Sequence, residues 1–215
     1  VITALLLNWK RPYNLIRIIT GLRQQSIPVT IFVWNNNIQD ITKFDADMQI
    51  NSGRNLMCSP RWLMGAFADT KYVFSLDDDL MITRPDLLER SINFIENCKY
   101  EALGYTGVQL NSNLDYWRSK HIAPHPMKDQ EVDIIKGRFI ITTKENVGRV
   151  DWINEQKANN YRIEDDIILS SKLTSKIIPA SYYGAFMELP QPYALMREKD
   201  HKISRQQAIQ KYFKK

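Results

Sequence analysis

The chain of 215 residues is poor in cysteine, has no long apolar run and carries no dominant charge. Each scarcity removes a class of protein. Its two cysteines, Cys58 and Cys98, sit among apolar residues and show neither Cys-x-x-Cys nor metal-ligand spacing. Buried, reduced thiols are therefore expected, with no disulfide framework and no zinc site. The longest apolar stretches, such as Ile2 to Leu7, are far too short to span a bilayer, and no signal-peptide pattern is visible. A formal net charge of +5 is a mild excess, spread along the chain without a recognised nucleic-acid motif, so nucleic acid is not an expected partner. Internal repeats and disorder-prone composition are absent as well.

What is present is the rhythm of an α/β fold: short apolar runs alternating with amphipathic stretches. Ile2 to Leu7, Thr30 to Trp34 and Tyr72 to Leu76 read as buried strands. Pro12 opens a helix carrying Leu15, Ile16, Ile18, Ile19 and Leu22, with Gly21 and Pro28 bracketing its exit. Arg61 to Asp69 and Pro85 to Cys98 read as further helices. Beyond that, Leu103 to Val108, Val132 to Ile135 and Arg138 to Thr142 resemble strands. Glu164 to Leu173, with Ile163 near its buried side, and Ser204 to Phe213, capped by Ser204, read as helices. No linker separates the halves. The expectation is one domain over 1–215, with a nucleotide-binding half (1–108) and a donor-sugar and acceptor half (109–215).

Three groups of residues point to chemistry. Asp77, Asp78 and Asp79 follow the strand Tyr72 to Leu76 directly, at the end of a buried strand where open α/β sheets bind ligands. Three adjacent carboxylates repel one another, and a hard cation such as Mn²⁺ or Mg²⁺ would remove that repulsion. Such an ion would also neutralise charge on a leaving diphosphate. A solvated acidic turn is the alternative reading. Glu164, Asp165 and Asp166 open a helix, where the macrodipole alone favours acids by roughly 0.3–1 kcal/mol each. A carboxylate there could instead act on an acceptor hydroxyl, an oxocarbenium-like centre or an anomeric carbon. His201, Lys202 and Arg205 lie in the basic stretch Arg197 to Lys215; His201 and Arg205 are four apart and would share a helix face. They could hold diphosphate oxygens, or the stretch could be an ordinary basic tail.

In this order the residues resemble the catalytic domain of the exostosin family of glycosyltransferases. Asn8-Trp9-Lys10-Arg11-Pro12 stands where that family has a turn after its first strand. Val33-Trp34-Asn35-Asn36 is similar to its VWNN, Arg61 falls at an arginine near the nucleotide, and Leu76-Asp77-Asp78-Asp79 is similar to its acidic metal motif. Glu164-Asp165-Asp166-Ile167 resembles its acidic catalytic segment, with Asp166 as the best counterpart, and His201-x-x-x-Arg205 its diphosphate-binding pair.

The resemblance implies a GT-A fold: a single α/β unit with a central, mostly parallel mixed sheet flanked by helices. It implies a UDP-sugar donor (glucose, an N-acetylhexosamine or a deoxyhexose such as rhamnose), a glycan or glycoprotein acceptor, Mn²⁺ or Mg²⁺, and retention of configuration. Asp79 and Asp77 would hold the metal. Trp9, Arg11, Asn35, Arg61, Asp77, Asp78, His201, Lys202 and Arg205 would contact the donor, and Asp166 or Asp165 would be catalytic. The chain departs from the family between Gln109 and Lys136, around Tyr116, Trp117, Arg118, His121 and His125, and it is shorter and shows no anchor. In this it is similar to glycosyltransferases of large algal DNA viruses. A cytoplasmic location, in the host for a virus, is the expectation, or the Golgi or ER lumen had an anchor been removed. Two rival functions differ in kind. A sugar-nucleotide pyrophosphorylase would show a Gly-rich loop after the first strand, but Leu7 to Pro12 has no glycine. A carbohydrate-binding module would use aromatics such as Tyr116 and Trp117.

Overall fold

Ile2–Asn8 contains no charged residue, and in the computed structural model of the chain it forms β1, buried along its whole length. A parallel strand covered on both faces needs no polar alternation. The structure describes residues 1–40, 42–159, 164–191 and 200–214; Ile163 and Arg197, singled out in the sequence, lie outside them. α1 (Pro12–Leu22) follows, with Pro12 in its first turn. Leu15, Ile18, Ile19 and Leu22 are buried, whereas Ile16 is exposed, because a 3.6-residue period cannot place it on the same face.

β2 (Val29–Asn35), β3 (Met48–Asn51), α2 (Pro60–Met64) and β4 (Tyr72–Leu76) come next. β5 (Leu80–Ile82), α3 (Leu87–Cys98), β6 (Ala102–Gly104), β7 (Gly107–Gln109), β8 (Lys120–Ile122), β9 (Gln130–Glu131) and β10 (Ile134–Ile135) lead to β11 (Phe139–Thr143). The chain continues through α4 (Lys144–Gly148), α5 (Trp152–Ala158), α6 (Asp165–Ser171), β12 (Lys176–Ile178), β13 (Phe186–Glu188) and α7 (His201–Tyr212).

Eight strands make the main sheet, in the order β3-β2-β1-β4-β11-β6-β12-β9. β3, β2, β1 and β4 are mutually parallel, and β11 runs antiparallel between β4 and β6. The two faces of β1 feed separate cores. Ile2, Ala4 and Leu6 pack with Leu15 and Leu22 of α1 and Leu87, Leu88 and Ile95 of α3. Leu5 packs on the other side with Trp62, Val147, Trp152, Ile168 and Leu169. Each such large apolar side chain, fully buried, contributes about 1.5–3 kcal/mol. This is the mixed, mostly parallel sheet with flanking helices that the sequence predicts.

Several boundaries differ from the sequence reading. Leu103 to Val108 is not one strand: β6 stays in the main sheet, while β7 joins β10 and β8 in a three-stranded sheet. The switch depends on close approach at two glycines. A Cβ on Gly104 would sit 2.0 Å from Ile135 Cγ2, and one on Gly107 would sit 2.8 Å from the Ile134 carbonyl oxygen. Of Val132 to Ile135 only β10 is strand, since the Val132 amide turns to donate to the Lys176 carbonyl at 3.0 Å. The helix expected over Arg61 to Asp69 ends as α2 and a 3₁₀ turn, Gly65–Phe67. Ser204 is no cap: α7 begins at His201, and Ser204 lies one turn inside, its hydroxyl donating to Glu164 Oε1 at 2.5 Å. The thiols are free, but Cys58 is half-buried and Cys98 exposed, so the expectation of buried cysteines fails; Cys98 ends α3 on its solvent side. Among the described residues no helix is long and apolar enough to cross a membrane.

Candidate active site

Parallel pairing sets Asn8 beside Asn35 and Leu6 beside Leu76, so β1, β2 and β4 end along one line. Beyond those ends lies a cleft of about 470 Å³. It is lined by Trp9, Arg11, Asn36, Asn55, Met57 and Cys58 from the first strand ends and the loop before α2, by Arg61, Asp77, Asp78, Asp79 and Arg138, and by Thr106, Tyr116, Lys136, Gly137, Glu164, Asp165, Asp166, His201 and Arg205. Residues distant in sequence are thus brought together.

The acidic triplet is held by arginines. Arg61 Nη1 donates to Asp77 Oδ1 at 2.7 Å, and Arg11 Nη1 to Asp78 Oδ1 at 2.5 Å. Asp79 accepts from both Arg11 Nη1 (3.0 Å) and Arg138 Nη2 (3.2 Å). The mutual repulsion that the sequence reading assigned to a cation is met by these guanidinium groups. Burial pushes the Asp78 carboxyl up to about 7 in spite of Arg11, and it also raises Asp77. Among the described residues no three His, Cys, Asp or Glu side chains come together as a ready metal cage. The donor set still suits a hard cation that takes one or two carboxylates and completes its shell with substrate phosphates. The six carboxylates in the cleft face Arg11, Arg61, Arg138, Arg205, Lys136 and His201. An anionic ligand would add negative charge to this near balance, and a further cation would then fit the electrostatics.

The second acidic group is divided among three environments. Asp166 Oδ1 accepts from the Ile167 amide (2.9 Å) and Arg205 Nη1 (3.1 Å); its Oδ2 accepts from the Gly137 amide (3.0 Å) and Arg205 Nη2 (2.8 Å). Burial alone would raise this carboxyl, but Arg205 and the amides outweigh it and hold it low. Asp165 is 4% exposed. Its Oδ2 accepts from Arg61 Nε (3.0 Å) and Trp62 Nε1 (2.8 Å), while Oδ1 accepts no hydrogen bond among the described residues. Burial raises its pKa. Glu164 bonds Ser204 and Arg205 Nη1 (2.8 Å) and lies 3.9 Å from His201 Nδ1; burial raises it too. Arg205 itself lies over the Tyr116 ring, 4.7 Å from its centroid.

Two predicted site residues lie outside the cleft wall. Asn35 is 1% exposed beneath it, tying Asn8, Asp40 and Asn51 together, and its neighbour Asn36 lines the cleft instead. A strand end alternates its side chains, and Asn35 and Asn36 could not be told apart by type. Lys202 faces outward, with Nζ 5.6 Å from the Trp117 centroid. Residues that the sequence reading did not single out include Asn55, Thr106, Lys136 and Arg138. The signal for the last two was their place around Gly137, at the turn between two short apolar runs.

The sequence matches no protein-family model and no curated protein. The fold does match solved structures. Residues 1–349 of S. aureus TarS in complex with UDP-GlcNAc align with a TM-score of 0.62 at 12% identity, over 91% of this chain and 60% of that one. The complex with UDP gives 0.59 at 11% identity, over 89% and 61%. The chain therefore spans about three-fifths of the TarS chains it matches. At such identities the likeness is one of fold alone, and that fold is GT-A.

Proposed function

We propose that the chain is a glycosyltransferase that moves a hexosyl-type sugar from a UDP-sugar to a hydroxyl on a glycan or glycoprotein. The observation that carries this reading is the convergence of the Asp77–Asp79 triplet, the Glu164–Asp166 group and Arg205 on one cleft at the strand ends of a GT-A fold. The likeness to a fold seen with UDP-GlcNAc and UDP supports the choice of donor. The uracil would lie against Trp9, Asn36 and Asn55, and the diphosphate over the triplet. Mn²⁺ or Mg²⁺, held by Asp79 with Asp77 assisting, would supply positive charge to the departing diphosphate.

In the transfer, the bond between the anomeric carbon and the β-phosphate oxygen breaks, the acceptor oxygen bonds to that carbon as its hydroxyl proton passes to the departing diphosphate, and UDP leaves. Asp165 is the better-placed carboxylate, with one oxygen unengaged and its affinity for protons raised by burial. Asp166, with a pair of donors on each oxygen, acts by fixing Arg205. The exostosin-like order of motifs supports retention, in which Asp165 would face the oxocarbenium-like centre. The anomeric coupling constant of the product, read by NMR, is expected to match the donor's; inversion would make Asp165 a simple base for the acceptor hydroxyl.

The first test is calorimetric titration of UDP and a panel of UDP-sugars, with Mn²⁺ and then with chelator. UDP binding strengthened by Mn²⁺, with one sugar preferred, is the expected result. No binding under either condition would overturn the transferase reading.

A further inference from the structure

Each arginine of the cleft is engaged by protein carboxylates: Arg11 and Arg138 by the triplet, Arg61 by Asp77 and Asp165, and Arg205 by Glu164 and Asp166. Lys136 lines the same cleft and, among the described residues, has no carboxylate within 4 Å and no hydrogen bond to its ammonium. It is half-buried, and its amide is anchored to the Thr106 carbonyl at 2.9 Å. Thr106 also lines the cleft; it is 6% exposed, and its Oγ1 has no hydrogen-bond partner among the described residues. A half-buried cation without a directly paired carboxylate is costly, and a buried hydroxyl without a partner adds to that cost. Burial lowers the Lys136 pKa, Arg205 and Arg138 add to that effect and Asp166 only partly opposes it, so the site disfavours its charge in the absence of an anion.

Resting on the donor reading above, we propose that Lys136, with Thr106 beside it, forms an oxyanion subsite on the Arg138–Arg205 side of the cleft. The guanidinium groups there are committed to carboxylates, so the ammonium is the group left to meet an anionic oxygen brought in by the ligand. That oxygen has two possible sources: the donor's diphosphate, or a carboxylate on the transferred sugar. A fixed ammonium serves either, since it is a point charge without the planar selectivity of a guanidinium.

The test is calorimetry on wild type, Lys136→Met and Lys136→Arg with uridine, inorganic pyrophosphate, UDP, UDP-glucose and UDP-glucuronate, in one Mn²⁺ buffer. Lys136→Met is expected to bind UDP and pyrophosphate about tenfold or more weakly, as for loss of one charge-assisted contact, and uridine unchanged. Lys136→Arg should recover most of the loss. Unchanged UDP affinity with selective weakening of UDP-glucuronate would place the anion on the sugar. Lys136→Met binding every ligand as wild type does would overturn the subsite. Wild type that binds pyrophosphate but not UDP would count against the donor reading alone, and unchanged uridine affinity shows that the variant is folded.

Discussion

Arg205 of α7 and Asp166 of α6 meet as a two-pronged pair, with Nη1–Oδ1 at 3.1 Å and Nη2–Oδ2 at 2.8 Å. Arg205 is 7% exposed and Asp166 3% exposed, so the pair locks the last helix to α6 almost out of contact with water. The same arginine reaches Glu164, and the same aspartate reaches the Gly137 amide.

Arg205→Ala leaves Asp166 and Glu164 buried without their cation. Removing one partner of a buried pair costs about 3–5 kcal/mol, and that loss is expected in urea unfolding. Arg205→Lys keeps the charge but not the fork, and it should fall between the two. In turnover assays Asp165→Asn is expected to abolish transfer with UDP affinity retained, whereas Asp166→Asn should lower stability and UDP affinity together. Full turnover in Asp165→Asn would remove that residue from the chemistry.

Asp78 provides a test of opposite sign. Its folded pKa is raised to about 7, above the ordinary carboxylate value, because burial disfavours its charge. Between about pH 4 and pH 7 the folded state holds more protons than the unfolded one, so this group's contribution to stability falls as pH rises through that window. Asp78→Asn removes the penalty and leaves Arg11 its bond to Asp79. The variant is expected to be more stable than wild type at pH 8, by roughly 1–3 kcal/mol, with the difference vanishing toward pH 4. Thermal melts across that range would show it. A variant less stable at pH 8 would mean that the Arg11 pair outweighs the desolvation. Such a gain at a cleft residue has the form of a trade of stability for function.

What the sequence made legible is what depends on near neighbours. The uncharged run of β1, the helical period of α1 and the acids directly after β4 can each be read from a few consecutive residues. What it hid depends on distant pairs. Nothing around Leu103 to Val108 announces that Ile135 must pass within reach of Gly104, so the split into β6 and β7 could not be read. Ser204 is a plausible cap by type, but its hydroxyl is drawn to Glu164, forty residues earlier. The same holds for the site: the acids were visible, whereas Arg11, Arg61 and Arg138 as their separate partners emerge only when three strand ends are aligned. Lys136 sits at the turn around Gly137, but a lysine at a turn is ordinary by type, and its place in the cleft emerges only from the fold.

Far from the cleft, Glu101 ties three segments together. It accepts from Arg149 Nη1 (2.6 Å), from the Thr174 amide and hydroxyl, and from the Ser175 amide (3.3 Å). Burial would raise its pKa, but these donors prevail and lower it to about 2. A depressed carboxylate contributes stability that is fully present above the unfolded value, near 4.5, and is lost as pH falls toward 2. Glu101→Gln is therefore expected to cost about 1–3 kcal/mol at pH 7, with partial exposure keeping it below the full shift, and progressively less below pH 4. Equal melting temperatures at pH 7 would show the cluster to be energetically idle.

Asp79 makes the metal question a matter of order of binding. Both its oxygens already face guanidinium groups, and among the described residues no third acid, histidine or thiol completes a cage around it. A hard cation held by one or two carboxylates draws its remaining ligands from phosphate and water. Mn²⁺ alone is therefore expected to bind weakly, and its affinity should rise at least tenfold once UDP is present, with UDP affinity rising by the same factor when Mn²⁺ is added. Electron paramagnetic resonance of free Mn²⁺, titrated with protein in the presence and absence of UDP, measures both. Asp79→Ala should abolish the coupling while leaving uridine binding intact. Should the variant keep the coupling, the cation's ligands lie elsewhere; should wild type show none, the three arginines already supply the charge that the diphosphate needs.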